Sequence, residues 1–145
     1  MILLFVIFSA LMGMSLSSIF MIYSAGSISL TFFIAAGMFG TMAVAGYTTS
    51  TDLTKMGSLL YMALIGIIIA SVVNWFIGSA GLDYIISFIG VLVFTGLTAY
   101  DMQKIKQIGM QIDHASEDGR KMAVMGALSL YLDFINLFLF LLRFF

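Results

Sequence analysis

The sequence predicts an all-α membrane protein, a polytopic bundle of about five transmembrane helices. Two observations lead to this prediction. First, 62% of the 145 residues are hydrophobic and only 9% are charged, whereas a soluble domain is nearer half apolar and a quarter charged. Second, the apolar residues form five runs, each close to the ~20 residues that a helix needs to cross a ~30 Å hydrocarbon core. Because no water satisfies backbone groups there, such runs must be helical.

The runs predict a single transmembrane domain over residues 1–145. In order, they cover residues 1–23, 28–47, 58–77, 84–101 and 122–142. The first run lacks a positively charged N-terminal region and is long for the apolar part of a signal peptide, so we interpret it as a membrane span. The fourth is the shortest, but Lys104 and Lys106 can reach the headgroups beyond it. We expect residues 102–121 to form the longest connection.

The distribution of Lys and Arg predicts the orientation of the chain. The connection at 48–57 holds Lys55, and the one at 102–121 holds four basic residues. On the opposite side of the membrane there is only Arg143. Because basic residues favour the cytoplasmic side, we expect a cytoplasmic N-terminus and an external C-terminus.

Several function classes find no support in the sequence. There are no cysteines, which excludes disulfides and thiolate metal sites. The net charge is -1 with no basic stripe, so nucleic acid is not an expected partner. Ser129 has no histidine near it in sequence and lies in no G-x-S-x-G motif. An intramembrane aspartyl protease would need two acids, but no further motif supports one. We therefore predict that the chain is not an enzyme and has no cofactor.

Asp133 lies deep inside the fifth run, about 16 Å along the helix from Met122 at ~1.5 Å per residue. A charge at such a depth costs at least ~2.5–3.5 kcal/mol. The helix face of Asp133 also carries Gly126, Ser129, Asn136 and Phe140. This small and polar stripe indicates that Asp133 faces protein or water rather than lipid. Intramembrane acids are functional in most cases, although Asp133 could also serve only as a hydrogen-bonding link between helices.

Asp101 closes the fourth run, with Thr98 on its face. The fourth and fifth runs are antiparallel neighbours, so Asp101 and Asp133 could meet, even though Asp101 lies nearer the cytoplasmic end. Two carboxyl groups in contact in a low dielectric share a proton and titrate as a pair. We predict that this pair senses pH, binds calcium through its oxygens, or does both. Ser129, Asn136 and Thr98 are predicted to support it.

The connection "QIDHASEDGRK" contains the single histidine of the chain. If it were helical, His114 and Asp118 would share a face, as would Asp113 and Glu117. One histidine among carboxylates is little support for a metal site, and a solvated, charge-balanced loop explains the same residues.

Small residues recur four apart, which predicts flat strips where helix backbones approach closely. The pairs are Gly13 and Ser17, Ala36 and Gly40, Gly66 and Ala70, and Ala123 and Ala127. Ordinary membrane-helix composition explains any single pair equally well.

Three stretches resemble the bacterial branch of the Bax inhibitor-1 family, also called the transmembrane Bax inhibitor motif family. They are "GYTTSTDLTKMGSLLYMALIG" (46–66), "GVLVFTGLTAYDMQKIK" (90–106) and "GALSLYLDFINLFLFLLR" (126–143). The resemblance implies a bundle of seven spans in the bacterial inner membrane, with the last span at its centre. The five runs match the last five of these spans. The absent second span would carry a basic residue that latches onto the acid pair.

The resemblance also implies a function. Family members are pH-sensitive calcium leak channels in which the positions of Asp101 and Asp133 form the pH-sensing pair, with calcium as the permeant ion. Bacterial members also bind and restrain a membrane-anchored AAA protease. The chain could therefore be a non-conducting regulator that binds such a partner through 102–121 and the small-residue strips. An inactive remnant of a longer protein is a third interpretation.

Overall fold

The computed structural model describes residues 2–49, 52–111 and 116–144. All regular secondary structure in this part of the chain is helical, which confirms the predicted all-α fold. The helices are α1 (Ile2–Leu16), α2 (Ile19–Ile22), α3 (Ala25–Thr48), α4 (Thr54–Ile77), α5 (Ala80–Gln111) and α6 (Glu117–Leu142). Five helical segments of the described residues are long and apolar enough to cross a membrane, the first of them made of α1 and α2 together.

The first apolar run is not one continuous helix. It is interrupted between α1 and α2, where the Ser17 hydroxyl donates to the Met14 carbonyl at 2.6 Å and the Ser18 hydroxyl donates to the Ser15 carbonyl at 3.1 Å. Serine hydroxyls that bond back to the preceding turn compete with the helical backbone pattern and often bend a helix. The two adjacent serines therefore account for the break.

The fourth and fifth runs are extended into the predicted connection. Helix α5 continues ten residues beyond Asp101 to Gln111, and α6 already begins at Glu117. The prediction of a long connection over residues 102–121 is therefore wrong. The Lys and Gln residues that follow Asp101 are good helix formers, and a helix can continue past the edge of the hydrocarbon core into water.

Helix α5 lies at the centre of the bundle and packs against α3, α4 and α6. Helix α6 packs against α5 and α3, and more lightly against α1. The largest fully buried apolar side chains are Leu97 of α5 and Leu137 and Leu142 of α6. The core is therefore centred on the interface between the last two helices, where shape-complementary packing rather than water exclusion holds membrane helices together.

Helices α3 and α4 approach α5 closely at two glycines. A Cβ atom on Gly46 of α3 would overlap the Ala99 carbonyl oxygen, and one on Gly57 of α4 would overlap the ring of Tyr100. The absence of a side chain lets the backbones of α3 and α5 come into contact at Gly46, and it lets the Tyr100 ring pack against the backbone of α4 at Gly57.

The glycines of the predicted small-residue strips do not have this role. No described atom lies within 4 Å of the place where a Cβ would stand on Gly13, Gly40 or Gly66. The packing prediction is therefore wrong at these three glycines. Spacing alone identifies a strip of small residues on a helix, but it does not distinguish a face that meets protein from one that meets lipid.

Candidate functional site

The structure brings together the two acids that the sequence placed inside the membrane. A hydrogen bond joins the carboxyl groups of Asp101 on α5 and Asp133 on α6. Only 4% of Asp101 and 5% of Asp133 is exposed. An ionised carboxylate is an acceptor only, so two carboxylates without a proton have no donor between them. This contact therefore requires a proton on one of the two groups.

The packing of α5 against α6 explains how Asp101 and Asp133 meet, although the sequence placed Asp101 nearer the cytoplasmic end of its helix. Leu97 lies one turn before Asp101, and Leu137 lies one turn after Asp133; both leucines are fully buried. In an antiparallel pair of helices these two turns are adjacent, so α5 and α6 are in contact along this face. The extension of α5 beyond Asp101 also places this acid inside a helix instead of at its end.

A third polar side chain, Tyr61 of α4, lies beside the pair. It is in the wall of the cavity that contains both acids, and its ring packs edge-to-face on Tyr100, with the centroids 6.0 Å apart and an interplanar angle of 84°. Tyr61 was not among the predicted site residues. It lies one turn inside the third apolar run, where a tyrosine is ordinarily explained by the membrane interface.

One carboxyl oxygen of the pair accepts no hydrogen bond from the described residues. Asp133 Oδ2 is buried and has no hydrogen-bond partner among the described residues. Most buried polar atoms in folded proteins have a partner, so an exception calls for an explanation. Such an oxygen is available to an incoming proton donor or cation.

The carboxyl pair does not by itself form a metal site of the usual kind. No group of three His, Cys, Asp or Glu side chains is assembled within the described ranges. A calcium ion beside Asp101 and Asp133 would have to take its remaining oxygen ligands from hydroxyl, amide or backbone groups and from water. Asp113 and His114, which the sequence analysis considered as metal ligands in the connection, lie outside the described residues.

The predicted supporting residues have different positions. Thr98 is fully buried, and its hydroxyl donates to the Phe94 carbonyl of its own helix at 2.8 Å. Asn136 donates through Nδ2 to the Leu132 carbonyl at 2.8 Å. Ser129 is exposed on α6 and contributes to the surface of the cavities beside the pair.

Two cavities adjoin the acids. The first, of about 480 Å³, lies among α4, α5 and α6 and contains both acids and Tyr61 in its wall. The second, of about 360 Å³, lies between α5 and α6 towards Lys104. Asp101 and Ser129 line both cavities. Each cavity has room for several waters, since one water occupies ~30 Å³ of liquid. The acid pair therefore lies where two cavities meet.

The fold and the site define a class: a polytopic helical membrane protein with a pair of acids buried between two central helices. The profile of one family, described as "Inhibitor of apoptosis-promoting Bax1", matches residues 1–145. The chain belongs to this family of Bax inhibitors, as its sequence motifs predict.

Curated relatives are similar over almost the whole chain. A protein of Borreliella burgdorferi is 60% identical over 141 residues, covering 97% of this chain and 61% of the relative. The inner membrane protein YbhL of Escherichia coli K12 is 56% identical over 143 residues, covering 98% of this chain and 61% of the relative. The chain thus spans about three fifths of the length of these relatives.

Proposed function

We propose that the chain forms a calcium-permeable leak pathway that is gated by protonation of the Asp101–Asp133 pair. The observation that supports this function most directly is a buried carboxyl–carboxyl hydrogen bond at the junction of two cavities. Calcium is the transported ion in this proposal and not a resident cofactor.

Gating follows from the electrostatics of the pair. With a shared proton, Asp101 and Asp133 attract each other through a hydrogen bond. When this proton leaves, two like charges remain in contact. At a typical hydrogen-bond distance of ~3 Å and an effective dielectric constant of ~20, they repel each other by roughly 5 kcal/mol. The repulsion separates α5 from α6 or is relieved by a cation between the carboxylates. Ser129 and Asn136, which line the larger cavity, would hydrate that cation.

The proposed location is the bacterial inner membrane, because the relative YbhL is an inner membrane protein. The N-terminus would be cytoplasmic and the C-terminus external, as the distribution of Lys and Arg indicates. In this orientation the smaller cavity, with Lys104 in its wall, lies on the cytoplasmic side of the pair.

Calcium flux into proteoliposomes tests the proposal. The wild-type chain, reconstituted with a calcium indicator inside the vesicles, is stepped between acidic and alkaline pH. We expect a flux that changes with pH and an Asp133→Asn variant in which this change is abolished. Asp118→Asn is the matched control, because Asp118 is an exposed acid of α6 outside both cavities. A pH-dependent flux that survives Asp133→Asn would overturn the proposed gate.

A second candidate is a non-conducting regulator that binds a membrane-anchored AAA protease or another membrane partner. None of the residues Ile2–Leu16 is buried within the described part of the chain. The ring contacts of α1 with α6 are those of Phe5 and Phe8 with Tyr131. Helix α1 therefore presents most of its apolar surface to lipid or to another membrane helix. Co-purification that survives replacement of both acids but is lost on deletion of 102–121 would favour this function.

A further inference from the structure

We infer that the Phe140 ring is a lid that closes the larger cavity at one end, and that the ion pair of Asp83 with Arg143 holds this lid shut. The closed end is the external one in the proposed orientation. The inference rests on the proposed function, because it gives the leak pathway a second barrier that is separate from the acid pair. This barrier is steric and is formed by α5 and α6.

The residues that line the larger cavity place Phe140 at its end. On α6 they begin at Ser129, pass Asp133 and end at Phe140. On α5, which runs in the opposite direction, they end at Phe94 on the same side. Phe140 follows Asp133 by about 10 Å along the helix axis, at ~1.5 Å per residue. The two phenylalanines therefore bound the cavity about two helical turns beyond the acid pair.

The Phe140 ring has a fitted position on α5. It stacks on the Phe94 ring, with the centroids 5.8 Å apart and an interplanar angle of 24°. One turn away on α5, a Cβ atom on Gly90 would lie 2.9 Å from three atoms of the Phe140 ring. The ring thus occupies the space that a side chain at position 90 would otherwise fill. These two contacts fix the ring across the gap between α5 and α6.

Arg143 connects the ring to the beginning of α5. Its guanidinium lies 5.1 Å from the centroid of the Phe140 ring, and its Nη1 donates to Asp83 Oδ1 at 3.0 Å. The same Nη1 lies 3.4 Å from the hydroxyl of Ser87, which is fully buried. A cation over an aromatic face is attracted by the ring. Because Asp83 and Ser87 hold the guanidinium, this attraction keeps the ring in its closed position.

The lid is able to open without disruption of the core. Phe140 is only partly buried, whereas Leu137 and Leu142 of the same helix are fully buried. Asp83 and Arg143 are both partly exposed, and ion pairs of this kind are weak and screened by salt. The leucines therefore hold α5 against α6, while the position of the ring depends on contacts that a modest change releases.

Thiol accessibility tests the lid without any need for ion flux. The chain has no cysteine, so a single introduced thiol reports on one position. Ser71→Cys places a thiol on α4 in the wall of the larger cavity. In lipid nanodiscs, a charged, membrane-impermeant thiol reagent should modify this cysteine slowly. Addition of Phe140→Ala should accelerate the reaction tenfold or more, because it removes the ring from the end of the cavity.

Two controls accompany this measurement. Phe88→Ala is the matched substitution, because Phe88 is an exposed phenylalanine of α5 that lines neither cavity; it should leave the Ser71→Cys rate unchanged. Ala80→Cys, at the exposed start of α5, should react rapidly and equally in every background. A rapid reaction of Ser71→Cys with Phe140 intact would overturn the lid, and so would equal rates in Phe140→Ala and Phe88→Ala.

The same reaction tests the ion pair through side chains outside the core. Asp83→Asn should accelerate modification of Ser71→Cys roughly two- to fivefold, the range expected for an exposed pair. Arg143→Gln should accelerate it further, because it also removes the contact with the ring. Glu117→Gln, which breaks an exposed pair with Lys121 at the other end of α6, is the matched control and should have no effect. Unchanged rates in both Asp83→Asn and Arg143→Gln would overturn the role of the ion pair.

The flux assay separates this inference from the proposed function. If the wild type conducts, Phe140→Ala should raise calcium flux tenfold or more while the pH midpoint, which the acid pair sets, stays where it is. If no variant conducts but the thiol rates change as expected, the leak proposal fails and the lid stands. If the wild type conducts and Phe140→Ala changes neither flux nor thiol rate, the lid fails and the acid gate stands.

Discussion

The carboxyl groups of Asp101 and Asp133 are joined by a hydrogen bond, although they are 32 positions apart in the sequence. Each is buried in a helix of apolar residues, and neither has a basic partner among the described side chains. Their mutual contact therefore depends on a proton. This one contact is a link between the two central helices, and under the proposed function it is also the group that senses pH.

Helices α3 and α5 are so close at Gly46 that one added methyl group there should destabilise the protein. Gly46→Ala would place a Cβ atom in overlap with the Ala99 carbonyl oxygen, so the two helices would have to separate. We expect a loss of about 1–3 kcal/mol in the free energy of unfolding in detergent, as for overpacked cores. Gly40→Ala on the same helix is the matched control, since it meets open space, and should be neutral or slightly stabilising. Equal effects of the two substitutions would show that the close approach at Gly46 is unimportant.

Much of the architecture could be predicted because membrane insertion imposes strong rules on composition. Five apolar runs required five spanning helices, and the cost of a buried charge required Asp133 to face protein. Tyr61 could not be found in this way, because a tyrosine near the start of a run has an ordinary explanation at the interface. The sequence also could not show that Gly46 packs against α5 while Gly40 does not, because this depends on which face of α3 meets α5.

The position of Ser129 in the walls of both cavities predicts that a larger side chain there obstructs the path past the acid pair. Ser129→Leu should lower calcium flux tenfold or more, because an added barrier of only ~1.4 kcal/mol slows a rate tenfold. Ala127→Leu is the control, since Ala127 is an exposed residue of α6 that lines neither cavity. A Ser129→Leu variant that conducts like the wild type would place the path elsewhere.

An ion pair links the ends of α5 and α6 that lie opposite the predicted cytoplasmic side. Arg143 Nη1 lies 3.0 Å from Asp83 Oδ1, and the two side chains are 41% and 47% exposed. Pairs this exposed couple by only ~0.2–1 kcal/mol, and salt screens them. A double-mutant cycle of Asp83→Asn and Arg143→Gln, measured by unfolding at low and high salt, should give a coupling in this range that falls with salt. A larger coupling that is insensitive to salt would contradict this estimate.

In that cycle Arg143→Gln should lower the free energy of unfolding more than Asp83→Asn does. The Arg143 guanidinium also lies 5.1 Å from the centroid of the Phe140 ring and 3.4 Å from the Ser87 hydroxyl. The substitution at Arg143 removes all three contacts, whereas the substitution at Asp83 removes one of them.

The start of α4 should make a pH-dependent contribution to stability. Asp52 Oδ1 accepts from the Thr54 hydroxyl at 2.6 Å and from the Thr54 backbone N–H at 3.0 Å. The Thr54 hydroxyl, followed by the N–H, holds the pKa of Asp52 below its ordinary value of 3.8. A carboxyl whose pKa is lowered by folding stabilises the folded state above its unfolded pKa, and this contribution is lost as pH falls through the folded pKa.

Melting temperatures in detergent check this contribution. The wild type should melt above Asp52→Ala at neutral pH, and the difference should shrink on acidification below the ordinary carboxyl range. Thr54→Val, which removes the hydroxyl donor, should lose part of the same difference. A wild-type advantage that stays constant or grows in acid would exclude the ionised Asp52 as its source.

The pH profile of calcium flux for wild type, Asp101→Asn, Asp133→Asn and the double variant tests the central claim most directly, that the two acids act as one proton-sharing unit. Each single substitution leaves a lone carboxyl that cannot share a proton with a second acid, so each should abolish the pH dependence, and the double variant should add no further loss. Independent, additive effects of the two substitutions, or a pH dependence that remains in the double variant, would contradict the account.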